Sequence, residues 1–214
     1  YIASESEPLK IYAKDFDDNG QLDAIICRWV KGKEMPIHQR DEMLAQINGL
    51  SKKYPRYAAY AAASIQEMLG EKVLAEAYIR VCNTLQSSCF IQDKGRFEAK
   101  PLPTLAQVAP IHAMICADFN ADGHTDILMA GNAYSANLSS GRYDASHGLL
   151  LLGDGSGGFQ PLAADRSGFY VDGVVRSLAS LTLSSGKKSI LVGIHNATNR
   201  IFDINASAFN RSAR

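Results

Sequence analysis

Apolar residues along this chain follow two different periods. "LDAIICRWV" (22–30) and "TDILMAG" (125–131) are short, apolar and partly β-branched, and charge or glycine closes them, a pattern that predicts buried strands. "GLLLLGDGSGGFQPL" (148–162) is an apolar run, a glycine-rich turn and a second run from Phe159, which reads as strand, turn, strand. "SSCFIQDKGRFEAKPL" (87–102) repeats that order with its turn at 93–95, and the stretch 174–204 alternates strand-like runs with turns at 184–187 and 196–199. Between 34 and 82 the period lengthens. Met43, Leu44, Ile47 and Leu50 fall on one helical face, and Tyr57, Ala61, Ile65, Met68 and Leu69 form a second stripe between Pro55 and Gly70. The prediction is a mainly β chain with a helical insertion, 34–82, that leaves the sheet between two of its strands and returns near Cys82.

An internal repeat sharpens this picture. "KDFDDNGQLDAII" (14–26) and "ADFNADGHTDILM" (117–129) match nearly position for position, with first aspartates at 15 and 118. Side-chain oxygens at loop positions 1, 3, 5 and 9, with the main-chain carbonyl of position 7, are the donors a hard cation such as calcium takes. In the first loop these are Asp15, Asp17, Asn19, Asp23 and the carbonyl of Gln21. In the second they are Asp118, Asn120, Asp122, Asp126 and the carbonyl of His124. Gly20 and Gly123 occupy position 6, where the chain turns sharply. Each donor set includes three carboxylates, which predicts about two structural Ca²⁺ ions, one per loop. An EF-hand needs a bidentate Glu at position 12, and Ile26 and Met129 stand there instead. Two metal-free acidic turns built on Asx-type hydrogen bonds are the alternative.

Composition removes some partners. The chain has 22 basic and 22 acidic side chains among 214 residues, so no net field attracts nucleic acid or an anionic membrane. Its apolar runs are far shorter than the roughly 20 residues of a membrane-spanning helix. It starts "YIASESEPLK", with neither Met nor a signal-peptide pattern, which we read as a piece of a longer protein. Cys27, Cys82, Cys89 and Cys116 show no zinc spacing and read as buried free thiols rather than a disulfide framework. Four acceptor tripeptides for glycosylation, at 137–139, 196–198, 205–207 and 210–212, add nothing about function by themselves.

The motifs suggestive of catalysis fail on physical grounds. Gly153, Gly155 and Gly158 satisfy G-x-G-x-x-G, but "FQPLA" with Pro161 supplies no helix N-terminus for a pyrophosphate. Ser156 lacks the G-x-S-x-G frame, and His38, His112, His124, His147 and His195 are scattered without metal-protease spacing. Ser146 and His147 are adjacent, so in an extended segment they face opposite ways. No catalytic or cofactor-binding constellation is assigned.

The acidic loops "KDFDDNG" and "ADFNADG", followed by "GRYDASHGLLLLGDGSGGF" and "VDGVVRS", resemble FG-GAP/VCBS repeats of the integrin-α-like β-propeller class, including bacterial VCBS-repeat proteins. The resemblance covers 8–33 and 83 to about 204. It implies about three propeller-like blades and calcium at both acidic loops. The first blade would comprise 1–33 and 83–106 around the helical insertion 34–82, the second 107–168, and a degenerate third 169–214 with the tail. Closed propellers have more blades, so further upstream blades or self-association are expected to cover the open edges. The function expected is a non-enzymatic, extracytoplasmic (secreted, periplasmic or cell-surface) module that binds a protein or glycan. The alternatives are a lectin-like module using Tyr143 and Tyr170, or a glycan hydrolase with acids such as Asp144 or Asp172.

Overall fold

A computed structural model describes residues 1–136 and 141–205. The tripeptides at 137–139, 205–207 and 210–212, and the tail assigned to the third blade, lie wholly or partly outside that range. Among the described residues the chain is mainly β, 39% strand against 17% helix, and four antiparallel sheets form without closing into a barrel. It divides into two compact units, Tyr1–Leu85 and the part from Gln86 onward.

In the first unit β1 (Leu9–Lys14), β2 (Asp23–Val30), β3 (Lys33–Pro36) and β4 (Tyr78–Cys82) form one sheet in the order β3-β2-β1-β4. The register pairs Lys14 with Asp23 and Tyr12 with Ile25, so the acidic loop is the hairpin joining two central strands. Lys31 and Gly32, both at positive φ, make the tight β2–β3 turn that a right-twisted hairpin prefers. Tyr12, Ile25 and Cys27 share the buried face of the sheet, following the strand period of two.

Five short helices cover that face: α1 (Arg40–Gln46), α2 (Leu50–Lys53), α3 (Tyr57–Ala62), α4 (Ile65–Leu69) and α5 (Glu71–Ala75). None is long enough to be stable alone, so tertiary packing of Met43, Ile47, Leu50, Tyr60, Ile65, Met68 and Leu74 holds them. The second predicted stripe is not continuous. Ser64 ends the α3 segment and restarts α4 through a capping box, its Oγ accepting from Glu67 N (3.2 Å) and its own N–H donating to Glu67 Oε2 (2.6 Å). The break changes the phase, and Tyr60 is buried in place of Tyr57, which is 64% exposed.

Two expected boundaries are corrected. The first sheet draws its fourth strand from 78–82, inside the stretch read as helical, and all of β3 but Lys33 also falls inside it; the helices lie within 40–75. The hairpin assigned to the first blade, β5 (Ser88–Asp93) with β6 (Arg96–Pro101), instead forms a two-stranded sheet of its own. Two similar hairpin texts therefore have different pairing partners, a choice that local pattern does not encode.

The second unit continues through a 3₁₀ turn (Thr104–Gln107) to β7 (Ile111–Ala117), β8 (Asp126–Gly131), β9 (Leu149–Gly153) and β10 (Phe159–Leu162). These form a meander, β10-β9-β8-β7, with Pro161 tolerated on its edge strand. After α6 (Ala164–Ser167) a three-stranded sheet follows, β11 (Val175–Thr182), β12 (Lys188–Ile194) and β13 (Arg200–Asp203). The whole of β8 is buried, because both of its faces are covered. Leu128 and Ala130 pack toward Val175, Ile190 and Val192, while Ile127 and Met129 pack with Ala106, Leu149 and Leu151. Gly131 is obligatory there, since a Cβ would lie 1.8 Å from the Pro110 carbonyl oxygen.

The cysteine expectation holds for one residue of four. All are free, but Cys82 and Cys116 are exposed and Cys89 is half-buried. Cys116 lies on the alternating outer face of β7, where the strand period turns it away from the core. Burial, reinforced by the Glu34 carboxylate, pushes the Cys27 thiol up to about 12. Alkylation of the native protein at pH 8 is therefore expected to modify Cys82 and Cys116 and to spare Cys27, as peptide mass mapping will read directly.

Glu34 itself is 2% exposed and ties the insertion to the sheet. It accepts from Tyr12 Oη (3.0 Å), Lys10 Nζ (3.2 Å) and Gln66 Nε2 of α4 (2.9 Å). Removing one partner of such a buried network strands the others. Glu34→Ala is expected to cost about 3 kcal/mol by denaturant unfolding, and a loss below about 0.5 kcal/mol would contradict this role.

Candidate metal centre

The two acidic loops have the same internal geometry. Position 1 bridges two successive amides: Asp15 Oδ1 and Oδ2 accept from Asn19 N (3.0 Å) and Gly20 N (2.8 Å), and Asp118 does the same for Asp122 N (3.2 Å) and Gly123 N (2.9 Å). Position 5 caps position 7, through Asn19 Oδ1 to Gln21 N (2.8 Å) and Asp122 Oδ1 to His124 N (2.8 Å). Position 9 reaches back to position 2, with Asp23 Oδ2 accepting from Phe16 N (2.9 Å) and Asp126 Oδ2 from Phe119 N (2.8 Å). Asp18 and Ala121 both sit at positive φ, as do Gly20 and Gly123, so the backbones bend alike. The sequence repeat is thus a repeat of structure.

The loops differ in what their carboxylates do next. In the first, one oxygen each from Asp15, Asp17 and Asp23 lies within 4.8 Å of the other two. Oxygens on opposite sides of a calcium ion with bonds of about 2.3–2.6 Å are about 5 Å apart, so this grouping fits one ion. Asp17 Oδ1 is buried and has no hydrogen-bond partner, although Asp17 Oδ2 accepts from Asn48 N (3.3 Å). An orphaned carboxylate oxygen among two other carboxylates is the arrangement a cation satisfies. Asn19 and the carbonyl of Gln21 complete the predicted donor set on the exposed side of the turn.

The second loop does not bring Asp118, Asp122 and Asp126 within the same distance. Position 3 is Asn120, whose Nδ2 donates to Asp122 Oδ2 (2.8 Å), and the His124 amide together with that contact holds the Asp122 carboxyl below the usual carboxylate range. Asp126 is fully buried and each of its oxygens accepts from one amide, with Oδ1 accepting from Gly153 N (2.9 Å). That bond requires glycine at 153, where a Cβ would lie 2.1 Å from the Thr125 carbonyl oxygen. Gly155 likewise leaves room for the His124 ring. The segment "GDGSGG" therefore buttresses the second acidic loop. Its Asp154 accepts from Ser156 N, Ser156 Oγ and Gly158 N through Oδ1, and it lines one depression with Asn120 and Asp122. The D-x-S turn signal was present in the sequence, but its neighbourhood was not.

The residues of the alternative readings are elsewhere in the second unit. His147 Nδ1 meets Asp172 Oδ1 at 2.7 Å, and the Tyr170 ring stacks on His147 at 4.7 Å. Buried Asn132 fixes this segment by donating to the carbonyls of Ser146 (2.6 Å) and Gly173 (3.1 Å). Ser146 is buried and its Oγ accepts from Gly148 N (3.2 Å), whereas His147 is exposed. Tyr143 and Asp144 are exposed.

No helix among the described residues is long and apolar enough to cross a membrane. No protein-family model, curated protein or solved structure matches the chain. Loop geometry and donor chemistry therefore carry the functional argument.

Because each oxygen of Asp126 accepts from a main-chain amide, Asp126→Asn presents an NH₂ to one of those donors. It is expected to destabilise the second unit by about 2 kcal/mol in calcium-free buffer as well as with calcium. Asp17→Asn is expected to leave calcium-free stability within about 0.5 kcal/mol of wild type, with differential calorimetry in the two buffers as the measurement.

Proposed function

We propose that this chain is a calcium-stabilised, FG-GAP/VCBS-type β-propeller segment that acts outside the cytoplasm as a non-enzymatic binding or protein-interaction module. The observation that carries the reading is the pair of acidic hairpins with matching hydrogen-bond patterns, one of which gathers the carboxylates of Asp15, Asp17 and Asp23 and leaves one oxygen of Asp17 without a partner. Asp15, Asp17 and Asp23, with Asn19 and the Gln21 carbonyl, would hold one ion. Asp118, Asn120, Asp122 and Asp126, with the His124 carbonyl, would hold a second after Asp122 exchanges its bond to Asn120 for the metal. The ion's contribution is structural: it neutralises clustered charge and fixes the hairpin, while the protein surface does the recognition.

The blade reading is supported by the meander β10-β9-β8-β7 packing its face against a second antiparallel sheet, the arrangement that radially repeated sheets adopt. Three sheets of blade-like size are fewer than a closed ring uses, so further blades or a second copy would complete it. A protein or glycan ligand then meets loops held on a rigid scaffold.

Binding confined to the folded state raises stability by mass action, by about 2.7 kcal/mol at a hundredfold excess over Kd. Addition of a chelator is therefore expected to lower the melting temperature by on the order of 5–10 °C. Asp15→Ala should remove the part of that response due to the first loop, and Asp118→Ala the part due to the second. A melt that is unchanged by excess chelator would overturn the proposal.

A further inference from the structure

The larger core of the second unit is not filled. Between the meander and the three-stranded sheet lies a cavity of about 160 Å³ walled by Phe119, Leu128, Leu150, Phe169, Ile190 and Phe202. The first five of these are at most 5% exposed, so the walls belong to the interior. Ser167, Asn205, Arg166 and Asp203 are confined to the rim, and Asp203 is bound by Lys187 Nζ (2.6 Å) and Ser189 Oγ (2.8 Å).

Protein interiors close-pack and rarely leave a void larger than a water molecule. The cavity opens to solvent at its polar rim, but water against its inner walls finds few polar partners, because those walls offer hydrocarbon and aromatic surface. The walls are also braced against collapse. Phe169 follows Gly168, whose left-handed backbone (φ 68°) ends α6, and its ring presses on Gly148 so closely that a Cβ there would come within 2.5 Å. On its other side it meets Phe202 edge-on, with centroids 5.0 Å apart. Dry apolar cavities of about 150 Å³ admit molecules the size of benzene.

We propose that this cavity is a binding site for a small, neutral, largely apolar molecule of about one aromatic ring, with any single polar group turned to Ser167 and Asn205 at the rim. The assignment uses none of the proposed metal-donor groups, although the Phe119 ring belongs to the second acidic loop. Toluene is the probe. Titrated into isotope-labelled full chain in calcium-containing buffer, it is expected to shift the methyl resonances of Leu128, Leu150 and Ile190 and to raise the melting temperature. Leu150→Phe and Ile190→Phe fill the space from opposite sheets, and each folded variant is expected to lose at least about tenfold in toluene affinity. A wild-type ¹²⁹Xe measurement needs no variant and is expected to give a bound xenon signal. Absence of both the toluene shifts and the xenon signal in folded wild type overturns the proposal, as does undiminished toluene affinity in a folded filling variant.

Discussion

Each acidic hairpin depends on one carboxylate that spans its mouth. Asp23 and Asp126 are the first residues of their strands, yet their side chains reach back across the turn to the amides of Phe16 and Phe119. The bond closes the loop and sets the pairing of Lys14 with Asp23 and of Ala117 with Asp126. A one-residue slip would break it and turn every apolar side chain of β2 or β8 to the opposite face. The buried ion is thereby paired with oriented backbone dipoles, which is what makes a charge tolerable at these positions.

From that common anchor the two loops diverge. In the first, Asp15 and one oxygen of Asp17 accept from main-chain amides, and the other oxygen of Asp17 is left buried without a partner. The second uses its acidic and amide side chains on one another and on the neighbouring glycine turn, through Asn120 and Gly153. One motif thus yields a loop that leaves a carboxylate oxygen unpartnered and another whose carboxylates are largely met by protein groups. The difference traces to Asp17 against Asn120 at position 3, and to a glycine turn that buttresses only the second loop.

Burial gives the two units different solutions to the same problem. A sheet must cover its apolar face, and the first unit does so with helices too short to stand alone, joined to the strands by the Glu34 network. The second covers both faces of its meander, one with a further sheet, and thereby acquires a continuous apolar strand, β8. The aromatic wall between those sheets also creates the cavity, because Phe169 is braced by Gly148 and Phe202 rather than free to move inward.

What the sequence determined by itself was local. Its strand and helix periods predicted a mainly β chain interrupted by helices, and the D-x-D/N-x-N/D-G repeat located both acidic loops, because neighbouring residues alone produce the turn and its hydrogen bonds. The capping box at Ser64 and Glu67 was equally legible, and overlooking it merged two helices and misplaced Tyr57. Partner choice was not legible. That β4 completes the first sheet, that β5 and β6 pair only with each other, that "GDGSGG" props Asp126 and that Asp172 meets His147 are contacts between residues 15 to 70 positions apart or more. Strand pairing is a competition among many apolar segments of similar pattern, decided by how whole faces are buried, and only the tertiary structure resolves it.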